Sequence, residues 1–124
     1  MFLSGKKKSK MPDKTESGGA GTTMHSDTPG EKSYEQLIKE LKDPDEIVRS
    51  TAAAALGFRK SEKAVGPLVL ALKDKHVYVR HGAAWALGEI KSERAMGALQ
   101  QALNDPDEIT RGKAAEAIAK IRGT

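Results

Sequence analysis

The chain has 124 residues, enough for one domain, and its 38% hydrophobic residues include only two Phe, two Tyr and one Trp, so its core must be built from aliphatic side chains. It has no Cys, which excludes disulfides and thiolate metal sites and fits the expectation of a cytoplasmic protein. The formal charge of +4 divides evenly, with five Lys against three carboxylates in residues 1–30 and sixteen basic against fourteen acidic groups in residues 31–124, a balance that disfavours a domain built around nucleic acid.

Residues 1–30 are mainly Lys, Ser, Thr, Gly and Asp, and the stretch SGGAGTT at Ser17–Thr23 has no apolar periodicity. Such a composition predicts a disordered arm, because it offers too little apolar surface to offset the entropy of ordering. The run Lys6, Lys7, Lys8 and Lys10 is read as a solvated tail. The apolar stretch Met1–Leu3 falls far short of the roughly 7 to 15 residues of a secretory signal core, and nothing approaches the roughly 18 of a membrane span, so neither is expected.

From Glu31 onward a unit of 31 residues repeats without a gap: LKDPDEIVRSTAAAALG from Leu41, LKDKHVYVRHGAAWALG from Leu72 and LNDPDEITRGKAAEAIA from Leu103. In the segment before each block, Tyr34, Leu37, Ile38 and Leu41 recur as Val65, Leu68, Val69 and Leu72, then as Met96, Leu99, Gln100 and Leu103. The spacing i, i+3, i+4, i+7 marks one face of a helix, with Gln100 leaving the third copy more exposed. Within the blocks, Val79, Ala83, Ala86, Leu87 and Ile90 mark the buried face of a second helix, whose small residues let neighbouring helices approach closely. The prediction is an all-α chain of six helices in three stacked pairs, at about 31–60, 61–91 and 92–124.

The turns have their own chemistry. Asp43-Pro44-Asp45 and Asp105-Pro106-Asp107 end the first helices with Pro and offer Asp as the cap of the next helix. Gly57 and Gly88 are expected to close the second helices in a left-handed conformation, and Gly66-Pro67 to bend the third helix.

These residues resemble a known family. The pattern D-x-x-x-x-V-R-x-x-A-A-x-A-L-G, followed by K/R-S-E-x-A-x-x-x-L, is similar to the short HEAT-like repeats of phycobilin-lyase-type proteins, and residues 31–124 carry it. The resemblance implies an α-solenoid with second helices on the concave, ligand-facing side. Departures are Lys75 in place of Pro44 and Pro106, Thr110 in place of Val48 and Val79, and Ala119 in place of Gly57 and Gly88, so the last helix is expected to run on through Arg122.

Asp43, Asp74 and Asp105 each precede an arginine by six residues (Arg49, Arg80, Arg111), and the resemblance implies that these pairs bridge turns and neighbouring repeats. The copies differ most on the second helix of the middle pair. There Tyr78, His81, Trp85 and Glu89 form a stripe at offsets 3, 7 and 11, beside the buried one. Exposed aromatics are the side chains that most often anchor interfaces, so this stripe, extended by Phe58, Glu116 and Lys120 in the flanking copies, is the expected partner-binding face. The competing reading has Trp85 packing over the groove between repeats.

The string VRHGAAWALGE also resembles the repeats of deoxyhypusine hydroxylases, which hold a di-iron centre through His-Glu dyads. Here His81 is followed by Gly82, and the equivalent pairs are Ser50-Thr51 and Gly112-Lys113, so that activity is not expected. No phosphate-cradling loop, nucleophile elbow or Ser/His/Asp spacing is present. The expectation is a non-catalytic protein-interaction or scaffold module without metal or cofactor, binding a protein partner or a second copy through the concave face. The alternatives are an accessory subunit of a chromophore lyase or similar modifying enzyme, and nucleic-acid binding through Lys113, Lys120, Arg122 and the lysine arm.

Overall fold

A computed structural model describes residues 31–123; the arm at 1–30, with its lysine run and His25, lies outside the described residues. Six α-helices follow one another: α1 (Tyr34–Glu40), α2 (Glu46–Arg59), α3 (Val65–Ala71), α4 (Val77–Ile90), α5 (Met96–Ala102) and α6 (Glu108–Arg122). Single 3-10 turns at Glu62–Ala64 and Glu93–Ala95 lead into α3 and α5. The described residues contain no strand.

Each second helix starts on a side-chain cap. Asp45 accepts the backbone N–H of Ile47 at 2.8 Å, and Asp107 accepts that of Thr110 at 2.8 Å. In the middle repeat, where Lys75 replaces proline, His76 takes this role and its Nδ1 accepts the N–H of Tyr78 at 3.2 Å. The other ring nitrogen, Nε2, lies 4.0 Å from Glu46. Ser61 and Ser92 cap the 3-10 turns in the same way.

The helix C-termini correct the expectation for glycine. Lys60 and Lys91 take the left-handed conformation (φ 55° and 61°), while Gly57 and Gly88 remain inside α2 and α4. Those glycines serve helix contact instead. A Cβ on Gly57 would lie 2.8 Å from Ala86 Cα, and one on Gly88 would lie 2.9 Å from Ala117 Cα. The expected bend at Gly66-Pro67 is replaced by the change from 3-10 to α geometry at Ala64–Val65. Pro67 then falls in the first turn of α3, where its missing N–H leaves no intrahelical bond unmade. As expected, α6 continues to Arg122 and closes on Gly123 (φ 79°).

One apolar core runs through the described repeats. Leu68 and Leu99 from the first helices are fully buried with Leu56 and Leu87 from the second, and each such side chain contributes about 2 kcal/mol. The second helices pack closely on one another, α2 on α4 and α4 on α6, whereas each first helix packs mainly on its own second helix. The α2–α4–α6 row is therefore the tightly spaced inner layer.

The Asp–Arg pairs pin this stack at its turns. Arg49 donates to the Asp43 and Pro44 carbonyls of its own turn (2.7 and 3.0 Å) and forks onto Asp74 of the next (Nε 2.9 Å, Nη2 3.1 Å). Burial alone would push the Asp74 carboxyl up, but the Arg49 fork and the His76 N–H outweigh it and hold the carboxyl below its usual range. Arg80 repeats the arrangement more loosely. It donates to the Asp74 carbonyl at 2.8 Å and to Asp105 at 3.3 Å through Nη2, while Nε lies 3.0 Å from Asp105 but turned away from a bonding line. Among the described residues, Arg111 holds its own turn alone, at the Asp105 and Pro106 carbonyls (2.8 and 3.2 Å).

Candidate functional site

The solvent-facing side of the inner layer is built from positions that recur every 31 residues. At the first such register stand Ile47, Tyr78 and Ile109, one per second helix, each 56–66% exposed. Large side chains this open at three equivalent positions are not placed there by core packing. Tyr78 is flanked by two imidazoles, with ring centroids 5.3 Å from His76 and 5.9 Å from His81, so an aromatic cluster forms at the start of α4.

The rest of the predicted stripe faces the same way, but most of it is engaged between repeats. His81 Nε2 lies 2.7 Å from Asp107 Oδ2. Asp107 also accepts from the backbone and hydroxyl of Thr110. The bond from His81, then that from the Thr110 backbone, hold the Asp107 carboxyl down at about 2. Trp85 is half-buried: its Cζ3 covers Gly57, and its ring meets Phe58 edge-on, with centroids 5.0 Å apart and planes at 61°. Phe58 itself is 74% exposed. Glu89 pairs with Lys120, whose hydrogen bond keeps the Glu89 carboxyl below its usual range. Glu116 is exposed on α6. The structure thus brings Tyr78, His81, Trp85, Glu89, Phe58 and Lys120 to one face, and Trp85 belongs both to this face and to the α2–α4 seam.

Three second helices at a repeat of 31 residues, caps and arginines in register, and a continuous core define a helical-repeat stack, and a family model for HEAT repeats matches residues 34–121. The chain is a HEAT-repeat protein. A comparison with curated protein sequences gives no match. Among solved structures, the HEAT-repeat chain is similar to the complex of CpcE and CpcF of phycocyanin lyase from Nostoc sp. PCC7120, at 27% identity and a TM-score of 0.71 over 81% of this chain and 42% of that one. It is also similar to human deoxyhypusine hydroxylase in complex with glycerol, at 29% identity and a TM-score of 0.69 over 77% of this chain and 34% of that one. The chain therefore spans less than half the length of either.

His81 is bonded to Asp107, Ser50 and Gly112 occupy its equivalent positions, and no group of three or more His, Cys, Asp or Glu side chains is clustered among the described residues. Of the cations named for nucleic acid, Lys120 pairs with Glu89, Lys113 is half-buried and Arg122 is exposed at the end of α6, while the lysine arm lies outside the described residues. No helix among the described residues is long and apolar enough to cross a membrane.

Sequence reasoning passed over Ile47 and Ile109 as binding residues. Their signal was available, because they stand 31 residues either side of Tyr78. Exposure of an aliphatic residue is a property of the helix phase, which only the assembled stack fixes.

Proposed function

We propose that this HEAT-repeat module is non-catalytic and binds a protein partner along the exposed face of its inner helices. The observation that carries this reading is the row Ile47, Tyr78 and Ile109. Apolar side chains spaced by one repeat present a long, shallow surface that suits an extended or helical segment laid across the stack. Tyr78 supplies the central anchor, combining large contact area with a hydroxyl and few rotatable bonds. The His81–Asp107 hydrogen bond and the Glu89–Lys120 ion pair make a polar border, and such a rim fixes register more than it adds affinity.

A photo-crosslinking side chain introduced at Tyr78 or Ile109 tests this reading against the same group at Gly66 or Lys73 on the outer side. The expected result is one defined protein adduct from the inner positions, lost in Ile47→Arg. Equal adducts from both sides, or none, would remove the proposal.

The likeness to the phycocyanin lyase complex supports a second reading, that the module is the accessory subunit of a chromophore-attaching enzyme. Visible absorbance on mixing with a free bilin distinguishes the two, since the protein-binding reading predicts no spectral change.

A further inference from the structure

Lysine stands where glycine is the usual residue at the ends of two second helices. Lys60 and Lys91, at equivalent positions of successive repeats, close α2 and α4 with φ 55° and 61°, a conformation that costs a residue bearing a side chain more than it costs glycine. A cation at a helix C-terminus offsets part of that cost, since it meets the negative end of the helix dipole. The same edge of the stack gathers further positive charge. Lys120 bonds Glu89, and Lys60 and Lys91 lie near enough to draw the Glu89 carboxyl down as well, so three ammonium groups share one carboxylate.

Apolar surface borders this charge. Phe58, at the register position of Glu89 and Lys120, is 74% exposed and rests edge-on against Trp85. Eleven residues, about 16 Å of helix, separate it from Ile47, so the strip lies across the inner face from the Tyr78 cluster. Other carboxylates interrupt the basic strip. Glu62 accepts from the Ser92 hydroxyl and pairs with Arg94 at 3.6 Å, whereas Glu93, two residues beyond Lys91, and Glu116, one turn before Lys120, are exposed. A phosphate backbone, charged at every unit, would run onto Glu93 and Glu116. A peptide can set uncharged residues opposite them.

We propose that this edge of the inner face is a docking strip for an acidic peptide segment, whose carboxylates meet Lys60 and Lys91 and whose apolar side chain covers Phe58. Charge complementarity singles out this occupant, because the lysines outnumber the carboxylate they share. Spacing sets its form. Neighbouring helices pack roughly 8–10 Å apart, and carboxylates at every third residue of a polyproline-type segment fall on one side about 9 Å apart. The strip is separate from the Ile47, Tyr78 and Ile109 row and goes beyond it, giving the inner face a charged contact beside its apolar one.

Fluorescence anisotropy of the full chain with a synthetic peptide of repeated Glu-Pro-Leu units, carrying an uncharged fluorophore, tests the proposal. The acidic peptide should bind at about 50 mM salt and weaken severalfold by about 200 mM, while a Gln-Pro-Leu peptide should not bind. Lys60→Gly and Lys91→Gly together remove the charge and relieve the left-handed backbone. The double variant should therefore hold or raise its urea midpoint while losing about tenfold or more in affinity. Phe58→Ala should weaken binding in the same direction. Lys42→Gln with Lys73→Gln, which removes equal charge from exposed positions on the outer side, should leave binding unchanged, as should Tyr78→Ala. No binding of the acidic peptide at low salt, equal binding of the Gln-Pro-Leu peptide, or affinity that survives the glycine double variant would each overturn the proposal. Tighter binding of an oligothymidylate of about twelve nucleotides through the same lysines would overturn it and assign the strip to nucleic acid. Peptide binding lost in Tyr78→Ala would also overturn it, by placing the peptide on the apolar row.

Discussion

Gly57 lies in van der Waals contact with Ala86 across the α2–α4 seam, so near that a Cβ on the glycine would stand 2.8 Å from Ala86 Cα and 2.7 Å from Trp85 Cζ3. Backbone cannot yield as a flexible side chain does. Gly57→Ala should therefore destabilise the stack by about 1–3 kcal/mol despite the better helix propensity of alanine. Gly112→Ala is the control. Its Cβ meets nothing within 4 Å, so it should stabilise by about 0.5–1 kcal/mol. Urea denaturation checks both, and equal signs would mean that the seam relaxes in solution.

The arginine ladder makes an ordered prediction. Arg49 is buried, bonds its own turn and forks onto Asp74, whereas among the described residues Arg111 bonds carbonyls alone. Truncating Arg49 also leaves Asp74 without its partner. Arg49→Ala should lower the urea midpoint roughly twice as far as Arg111→Ala. Arg49→Lys should recover little of that loss, because an ammonium cannot reproduce the fork. Full rescue by lysine would show that charge alone matters at this joint.

Acid should loosen the α4–α6 contact. The Asp107 carboxyl is held at about 2 in the folded protein, below the roughly 3.9 of an unfolded chain, so the folded state binds fewer protons. Its stabilising contribution is fully present above about pH 4 and is lost as pH falls through about 2. Asp74 and Glu89 are shifted in the same direction, so wild type should lose stability steadily over this window. Asp107→Asn should flatten part of that loss, read as urea midpoints at pH 5 and pH 2.5. Parallel wild-type and variant curves would show that the His81 bond does not form in solution.

The repeat was legible because it is written three times: a 31-residue spacing, a 3.6-residue apolar period and turn residues in register all lead to the same helices. What the sequence hid were features requiring knowledge of what lies opposite. Gly57 and Gly88 have the look of helix terminators, since glycine is common there, but what decides their role is the neighbouring backbone. Lys60 and Lys91 take the left-handed conformation without any compositional sign. His76 as a helix cap was equally invisible, because imidazole seldom replaces Asp in that role. The candidate face was found through its aromatic members, while Ile47 and Ile109 were masked by their resemblance to ordinary core residues.

Trp85 separates stability from binding. Its ring covers Gly57 and abuts Phe58, so Trp85→Ala should open the α2–α4 seam and cost about 2 kcal/mol, less than the roughly 3–5 kcal/mol of a fully buried ring. Loss of partner binding in that variant would then mix two effects. Tyr78, at 63% exposure, is the cleaner probe: Tyr78→Ala should stay within about 0.5 kcal/mol of wild type while removing the proposed anchor. The shielding of Trp85 can be read directly, since it is the one tryptophan in the chain. Iodide should quench wild-type fluorescence partially, and Phe58→Ala, by stripping the edge-on ring, should raise the quenching constant and shift emission to the red. Quenching identical in the two proteins would mean that Phe58 does not rest on Trp85 in solution, and Trp85 would then be governed by Gly57 and Ala86 alone.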